Sequence, residues 1–282
     1  MSVAVVTDSS GVVPPELLGG RELAVVPLHV RIGSHSGPEG TEITPADVAA
    51  AMRERRVDVS TSRPSPAEFA AAYRHALDAG ADGVVSVHLS RRLSGTYESA
   101  VLAAREFPVG TIRVVDSRST AMGLGFAALA AVEEAAAGGS LDEVRIAAQA
   151  SVARTTTLFY VDTLEHLRRG GRIGAAAALI GTALAVKPIL EMADGSVVVK
   201  EKVRTAGRAL ARLEALAVAA AGDGPVDVAV HHLDAAERAE QLRGNLARLL
   251  AGRGWLVVSE VGAAVGAHVG PGVVGVVVVP RG

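Results

Sequence analysis

Two runs of hydroxyl side chains stand ahead of candidate helices. One is Ser60-Thr61-Ser62-Arg63-Pro64-Ser65; the other is Leu93-Ser94-Gly95-Thr96-Tyr97, which follows an apolar strand. A helix start offers free backbone N–H groups and the positive end of its dipole, and adjacent hydroxyls add donors, which suits a carboxylate or a phosphate. Ser and Thr also favour those positions simply as caps. Gly170-Gly171-Arg172 could bring backbone close to a ligand beside a guanidinium, or could end a helix before a surface arginine. His268 precedes Gly270-Pro271-Gly272, a tight turn that could present the imidazole or be a turn only. Ser94, His268 and Asp116 are the residue types of a hydrolase triad, but Ser94 lacks a nucleophile-elbow context. No P-loop pattern exists and no GxGxxG joins a strand to a helix, so a nucleotide site of the common kinds is not indicated.

Composition narrows the chemistry further. The 282 residues carry 28 Lys plus Arg against 30 Asp plus Glu, a net charge of −2 that gives no overall footprint for nucleic acid or an anionic membrane. Zero Cys excludes disulfides, thiolate metal sites and a thiol nucleophile. The eight His are scattered without an HExxH, so no metal cofactor is expected. Aromatics at 3% leave no stacking platform for single-stranded nucleic acid. Ile173 to Val186 is uncharged but too short to span a bilayer, and Val261 to Val279 is interrupted by Gly270-Pro271-Gly272. With no targeting pattern at Met1 to Val6, the expectation is a soluble cytoplasmic protein with no membrane insertion.

The elements that must position these residues alternate in the first half. Apolar strands are expected at Val3–Val6, Leu23–Ile32, Gly83–Leu89 and Thr111–Val115, and helices at Pro45–Arg55, Pro66–Ala79, Tyr97–Glu106 and Ala121–Ala137. Thr44-Pro45-Ala46-Asp47, Ser65-Pro66-Ala67-Glu68 and Ser140-Leu141-Asp142-Glu143 carry helix-start signals, and Gly33–Gly40 reads as a polar loop. The second half adds a helix at Leu141–Arg154, a strand at Thr157–Val161 and a small-residue helix at Ala175–Leu184. Strands Lys187–Met192 and Val197–Lys202 follow, joined by the turn Ala193-Asp194-Gly195-Ser196. Helices Ala206–Ala220 and Ala235–Leu250 then alternate with strands Val226–His231, Trp255–Ser259 and Val273–Val279. The pattern predicts a two-domain α/β protein: residues 1–155 as a three-layer α/β/α domain with a mainly parallel sheet, and 156–282 as a two-layer α/β domain with a mixed sheet.

Seven blocks in order carry a resemblance. They are Val5 to Ser10, Thr61 to Ser65, Leu93 to Tyr97, Val115 to Ser117, Leu164 to Ile173, Lys187 to Leu190 and Gly266 to Gly272, and together they resemble the DegV family over nearly the whole chain. The resemblance implies a non-catalytic protein that holds a long-chain fatty acid in a pocket between or beneath the domains. It also implies presentation of the carboxylate to a separate ATP-dependent fatty acid kinase, whose acyl phosphate product feeds phospholipid synthesis. Carried over to this sequence, the carboxylate contacts are Thr61 and Ser94, with His268 completing the network and Ser62 and Gly95 beside them. Arg172 would lie at the pocket mouth, facing lipid or kinase, with Arg204 assisting. Arg63 stands where the family usually has Gln, and Arg91-Arg92 replace a small polar pair, so positive charge is added at the supposed carboxylate end. A His beside that anion is expected to have a raised pKa. Burying roughly a dozen methylenes at about 0.8 kcal/mol each would give on the order of 10 kcal/mol before ordering costs, so the tail dominates affinity and the carboxylate contacts set orientation. The other readings are a hydrolase using Ser94 and His268, a relative of dihydroxyacetone kinases that binds a small carbonyl compound, and a lipid chaperone or sensor without a kinase partner.

Overall fold

The computed structural model of the protein describes residues 2–54, 57–179, 187–250 and 252–281. Strands Ala24–Val26, Val3–Asp8, Gly83–His88 and Ile112–Asp116 lie side by side in that order, all parallel. The two central strands, Val3–Asp8 and Gly83–His88, are buried on both faces because helices cover both. Phe69, Ala70 and Tyr73 of helix Pro66–Asp78 and Ala100 and Ala103 of Thr96–Ala104 bury one face. Leu124, Ala127 and Ala131 of Met122–Ala136 and Val144 and Ala148 of Leu141–Arg154 bury the other, so the half is a three-layer α/β/α sandwich. The helix starts form as their sequences predict: Ser65 and Ser140 complete capping boxes with Glu68 and Glu143, and Thr44 exchanges hydrogen bonds with Asp47.

The second sheet has six strands in the order Ser196–Val203, Lys187–Ala193, Thr156–Tyr160, Val274–Pro280, Val226–His232 and Arg253–Glu260; every pair is antiparallel except the last. Its first two strands are joined by Asp194 and Gly195 at φ 47° and 80°, the two left-handed residues of a type I′ turn. Alternation divides the valine run. Val274, Val276 and Val278 pack under helices Ala206–Ala221 and Ala236–Leu249, whereas Val273, Val277 and Val279 face the first half of the chain.

Three expectations are corrected. The single strand Leu23–Ile32 is two, because Pro27 falls between Ala24–Val26 and His29–Ile32, and the second belongs to a separate three-stranded antiparallel sheet. That sheet is completed by His35–Pro38, inside the stretch read as a loop, and by Val59–Ser62. Thr61 and Ser62 therefore lie on a strand, and only Ser65 caps the following helix. The Ala175–Leu184 helix is described only as the 3-10 turn Gly174–Leu179; residues 180–186 lie outside the described residues.

Candidate functional site

The face of the six-stranded sheet turned away from helices Ala206–Ala221 and Ala236–Leu249 looks onto the first half, and between them lies an apolar cavity open at one end. Leu28, Leu89, Leu158, Phe159, Val273 and Val277 are among its walls. Thr61, Ser62, Arg63, Ser94, Arg172 and His268 also line it. Thr61, Arg172 and His268 line a broad outer groove as well, which places them at the mouth. Further along the walls, Thr157 Oγ1 pairs with Ser119 Oγ at 2.9 Å, and the Thr120 hydroxyl has no partner.

The element that carries His268 is a seven-residue helix, Ala263–Val269, that the pattern of small and apolar residues did not reveal. It is wedged against Val48 and Ile43 of the first half, and so it lacks a polar face to give a helical period. Its start is held by Glu39, whose Oε2 accepts the Ala264 N–H at 2.8 Å while Oε1 accepts from the Ser9 hydroxyl. Burial raises the Glu39 pKa against the lowering effect of those two hydrogen bonds, with Asp8 adding to the rise. Gly270, at φ 79°, ends the helix, so His268 sits in its last turn and the Gly270-Pro271-Gly272 segment follows it.

His268 Nε2 lies 2.8 Å from Thr61 Oγ1, a contact across 207 positions of sequence. Nδ1 is buried, without a hydrogen-bond partner, facing the bare backbone of Gly170. An unpartnered lone pair costs less than an unpartnered N–H, so the proton belongs on Nε2, which donates to Thr61 and leaves the Thr61 hydroxyl hydrogen free for a ligand. Burial, with Arg172 nearby, lowers the His268 pKa to about 4 in the empty site, so without an anion in place the imidazole is neutral; the expected rise concerns the site with an anion bound. No triad forms here: the Asp116 carboxylate accepts the Arg118 and Arg91 backbone N–H groups, and the His268 contact goes to Thr61, with Ser94 Oγ instead 2.9 Å from Thr96 Oγ1.

Arg172 follows Gly171, whose φ of 72° closes helix Glu165–Arg169. Its Nε donates to the Leu93 carbonyl at 2.8 Å and Nη1 to the Gly170 carbonyl, so it ties the loop ahead of Ser94 to the loop beside His268. Arg204 is exposed beyond strand Ser196–Val203 and lines neither the cavity nor the groove. Of the added cations only Arg63 reaches the cavity; Arg91 and Arg92 do not line it, and the Arg91 guanidinium lies 5.9 Å from the centre of the Tyr97 ring.

The Val5 to Ser10 block serves this geometry from below. Asp8 accepts from the Ser10 backbone and hydroxyl, the Leu89 N–H at 3.0 Å and His88 Nδ1 at 3.0 Å, fixing the ends of two parallel strands under the Leu93–Ser94 loop. His88 Nε2 in turn meets Ser86 Oγ at 2.6 Å, a Ser-His-Asp connectivity sealed in the core, with Tyr73 donating to Ser86. Among the described residues no helix is long and apolar enough to cross a membrane, and no group of His, Cys, Asp and Glu could hold a metal ion.

Fold and cavity define the class: an α/β protein of two principal sheets closed around an apolar cavity with a hydroxyl-lined, cationic mouth. The chain belongs to the DegV family, whose model, described as "Uncharacterised protein, DegV family", matches residues 2–281. It is 53% identical over 279 residues to the DegV domain-containing protein SCO2569 of Streptomyces coelicolor, covering 99% of each chain. It is similar to a fatty-acid-binding DegV family protein from Thermus thermophilus, with 35% identity, TM-score 0.92 and 100% of both chains covered. DegV from Bacillus subtilis, a fatty acid binding protein, is 31% identical with TM-score 0.89, again over 100% of both chains.

Proposed function

We propose that this protein binds a long-chain fatty acid in the cavity and presents its carboxylate to a separate ATP-dependent fatty acid kinase. The observation that carries the reading is the Thr61–His268 pair at the mouth of an apolar cavity. The tail would lie along Leu28, Phe159 and Val277, where burial of a methylene contributes about 0.8 kcal/mol. One carboxylate oxygen would accept from Thr61 and its neighbour Ser62, and from Ser94 beside Gly95, across the loops of residues 1–155. Residues 156–282 would close the cavity and supply His268 and Arg172. The other oxygen would face the outer groove, which carries Arg31, Arg169 and Arg172. In the kinase that oxygen would attack the γ-phosphorus of ATP and release ADP, so the chain offers a nucleophile it does not itself activate. A kinase that consumes ATP would work with this protein in the cytoplasm.

Native mass spectrometry of freshly purified protein, followed by transfer from ATP with a cognate kinase, tests the reading. A retained long-chain acid that becomes an acyl phosphate is expected. An empty protein that hydrolyses an ester would replace this reading with the enzymatic one, and a retained acid that no kinase phosphorylates would leave a lipid chaperone.

A further inference from the structure

The mouth holds two guanidinium groups in different situations. Arg172 gives Nε and Nη1 to the Leu93 and Gly170 carbonyls, so it is committed to holding two loops together. Arg63 lines the cavity beside Thr61, yet among the described residues it makes no hydrogen bond or ion pair. Its side chain lies over Gly95, immediately ahead of helix Thr96–Ala104. A Cβ at Gly95 would fall 2.0 Å from Arg63 Nη1 and 3.0 Å from its Cδ and Cζ. The missing side chain of Gly95 is therefore a notch that admits the arginine. Gly95 has φ −75°, a backbone any residue adopts, so what the glycine offers there is room for this position of the guanidinium and not conformational freedom. Glu98 stands in the first turn of helix Thr96–Ala104 but makes no ion pair with Arg63, so the guanidinium at the positive helix end is left to gain from an anion placed between them.

We infer that Arg63, seated in the Gly95 notch, is the charged contact by which this protein distinguishes an ionised acyl head group from a neutral one. The inference rests on the fatty-acid reading and assigns to Arg63 a role in head-group selection that the neutral hydroxyls of Thr61 and Ser94 do not perform. Its planar fork matches a carboxylate in two parallel N–H···O bonds, a geometry that Gln at the same position cannot reproduce. Hydroxyl donors accept an alcohol or an acid alike, whereas a guanidinium gains much more from the anion. Gly95 then has a role of its own as the space Arg63 needs, although it does not line the cavity.

The test compares the affinity of palmitate and of oleate with that of the corresponding fatty alcohols, for wild type, Arg63→Gln, Gly95→Ala and the double variant. Loss of one charge-assisted contact is expected to weaken acid binding about tenfold or more and leave the alcohols within about twofold. Gly95→Ala should reproduce the change, because its Cβ displaces the guanidinium, and the double variant should be no worse than either single one. In wild type the preference for acid over alcohol should shrink as salt is raised, and in Arg63→Gln it should not. An acid-to-alcohol preference unchanged in Arg63→Gln overturns the inference while leaving lipid binding intact. If neither acid binds any of the proteins, the fatty-acid reading itself has failed, and this inference with it. Melting temperatures of the variants within a few degrees of wild type show that the comparison is made on folded protein.

Discussion

Replacing Thr61 by Val removes one hydroxyl from the mouth and little else. Thr61 sits opposite Val30 in an antiparallel strand pair, where a β-branched valine keeps the backbone and the packing. Two consequences can be worked out separately. In the bound state a hydrogen bond to an anion disappears, worth about 1.5–3 kcal/mol, or roughly ten- to a hundredfold in affinity. Against this stands about 10 kcal/mol from a dozen buried methylenes, so the variant should still retain lipid, more weakly. In the empty state His268 Nε2 loses its partner while Nδ1 already has none, leaving an imidazole without hydrogen bonds in a largely buried site. That costs the fold about 1–3 kcal/mol. Displacement titration with a fluorescent acyl ligand measures the first effect, and calorimetric melting of the delipidated protein the second. Unchanged affinity and unchanged melting would refute the assignment of Thr61. Complete loss of lipid would refute the arithmetic that gives the tail most of the affinity.

Three further outcomes are expected. Arg172→Ala should keep most bound lipid by mass spectrometry and lose much of the rate of acyl phosphate formation; lipid lost in proportion to rate would mean that Arg172 holds the carboxylate. His231 is buried between the Met122 N–H and Ser259, and burial lowers its pKa to about 4, so the unfolded chain binds more protons and stability falls as pH drops from about 6.5 towards 4. For His231 alone that is roughly 3 kcal/mol; His268 titrates in the same direction, and chemical denaturation across pH 4–7 in wild type and His231→Gln would show a flatter curve in the variant. The raised pKa of Glu39 has the opposite sign: the native state favours its protonated form, so that contribution is present at low pH and lost as pH rises through the native value. Glu39→Gln should remove this dependence and keep an acceptor for Ala264, whereas Glu39→Ala should free the start of the Ala263–Val269 helix and disturb the His268 imidazole resonances by NMR; identical spectra would show that Glu39 does not position His268.

Much of the architecture was legible in the chain alone, because it is specified locally. Caps such as Ser65 with Glu68, the Asp194-Gly195 turn and the all-valine run before Pro280 each carry their own conformational signal over a few residues, and alternating strands and helices follow from them. The hydroxyl runs and His268 were visible too, as residue types in an order that resembles a family. What only the tertiary structure decided is what touches what. The helix bearing His268 is apolar on every side, so it has no period to read, and its place against Thr61 depends on packing between segments 207 positions apart. Glu39 lay in a stretch that looked like a loop, and its importance comes from a single backbone N–H supplied by Ala264. In the empty site the His268 pKa is set first by burial, which no count of charges along the sequence reveals. Local propensity is written residue by residue, whereas a cavity, a buried proton and an arginine resting in a glycine notch exist only once distant surfaces have closed on one another.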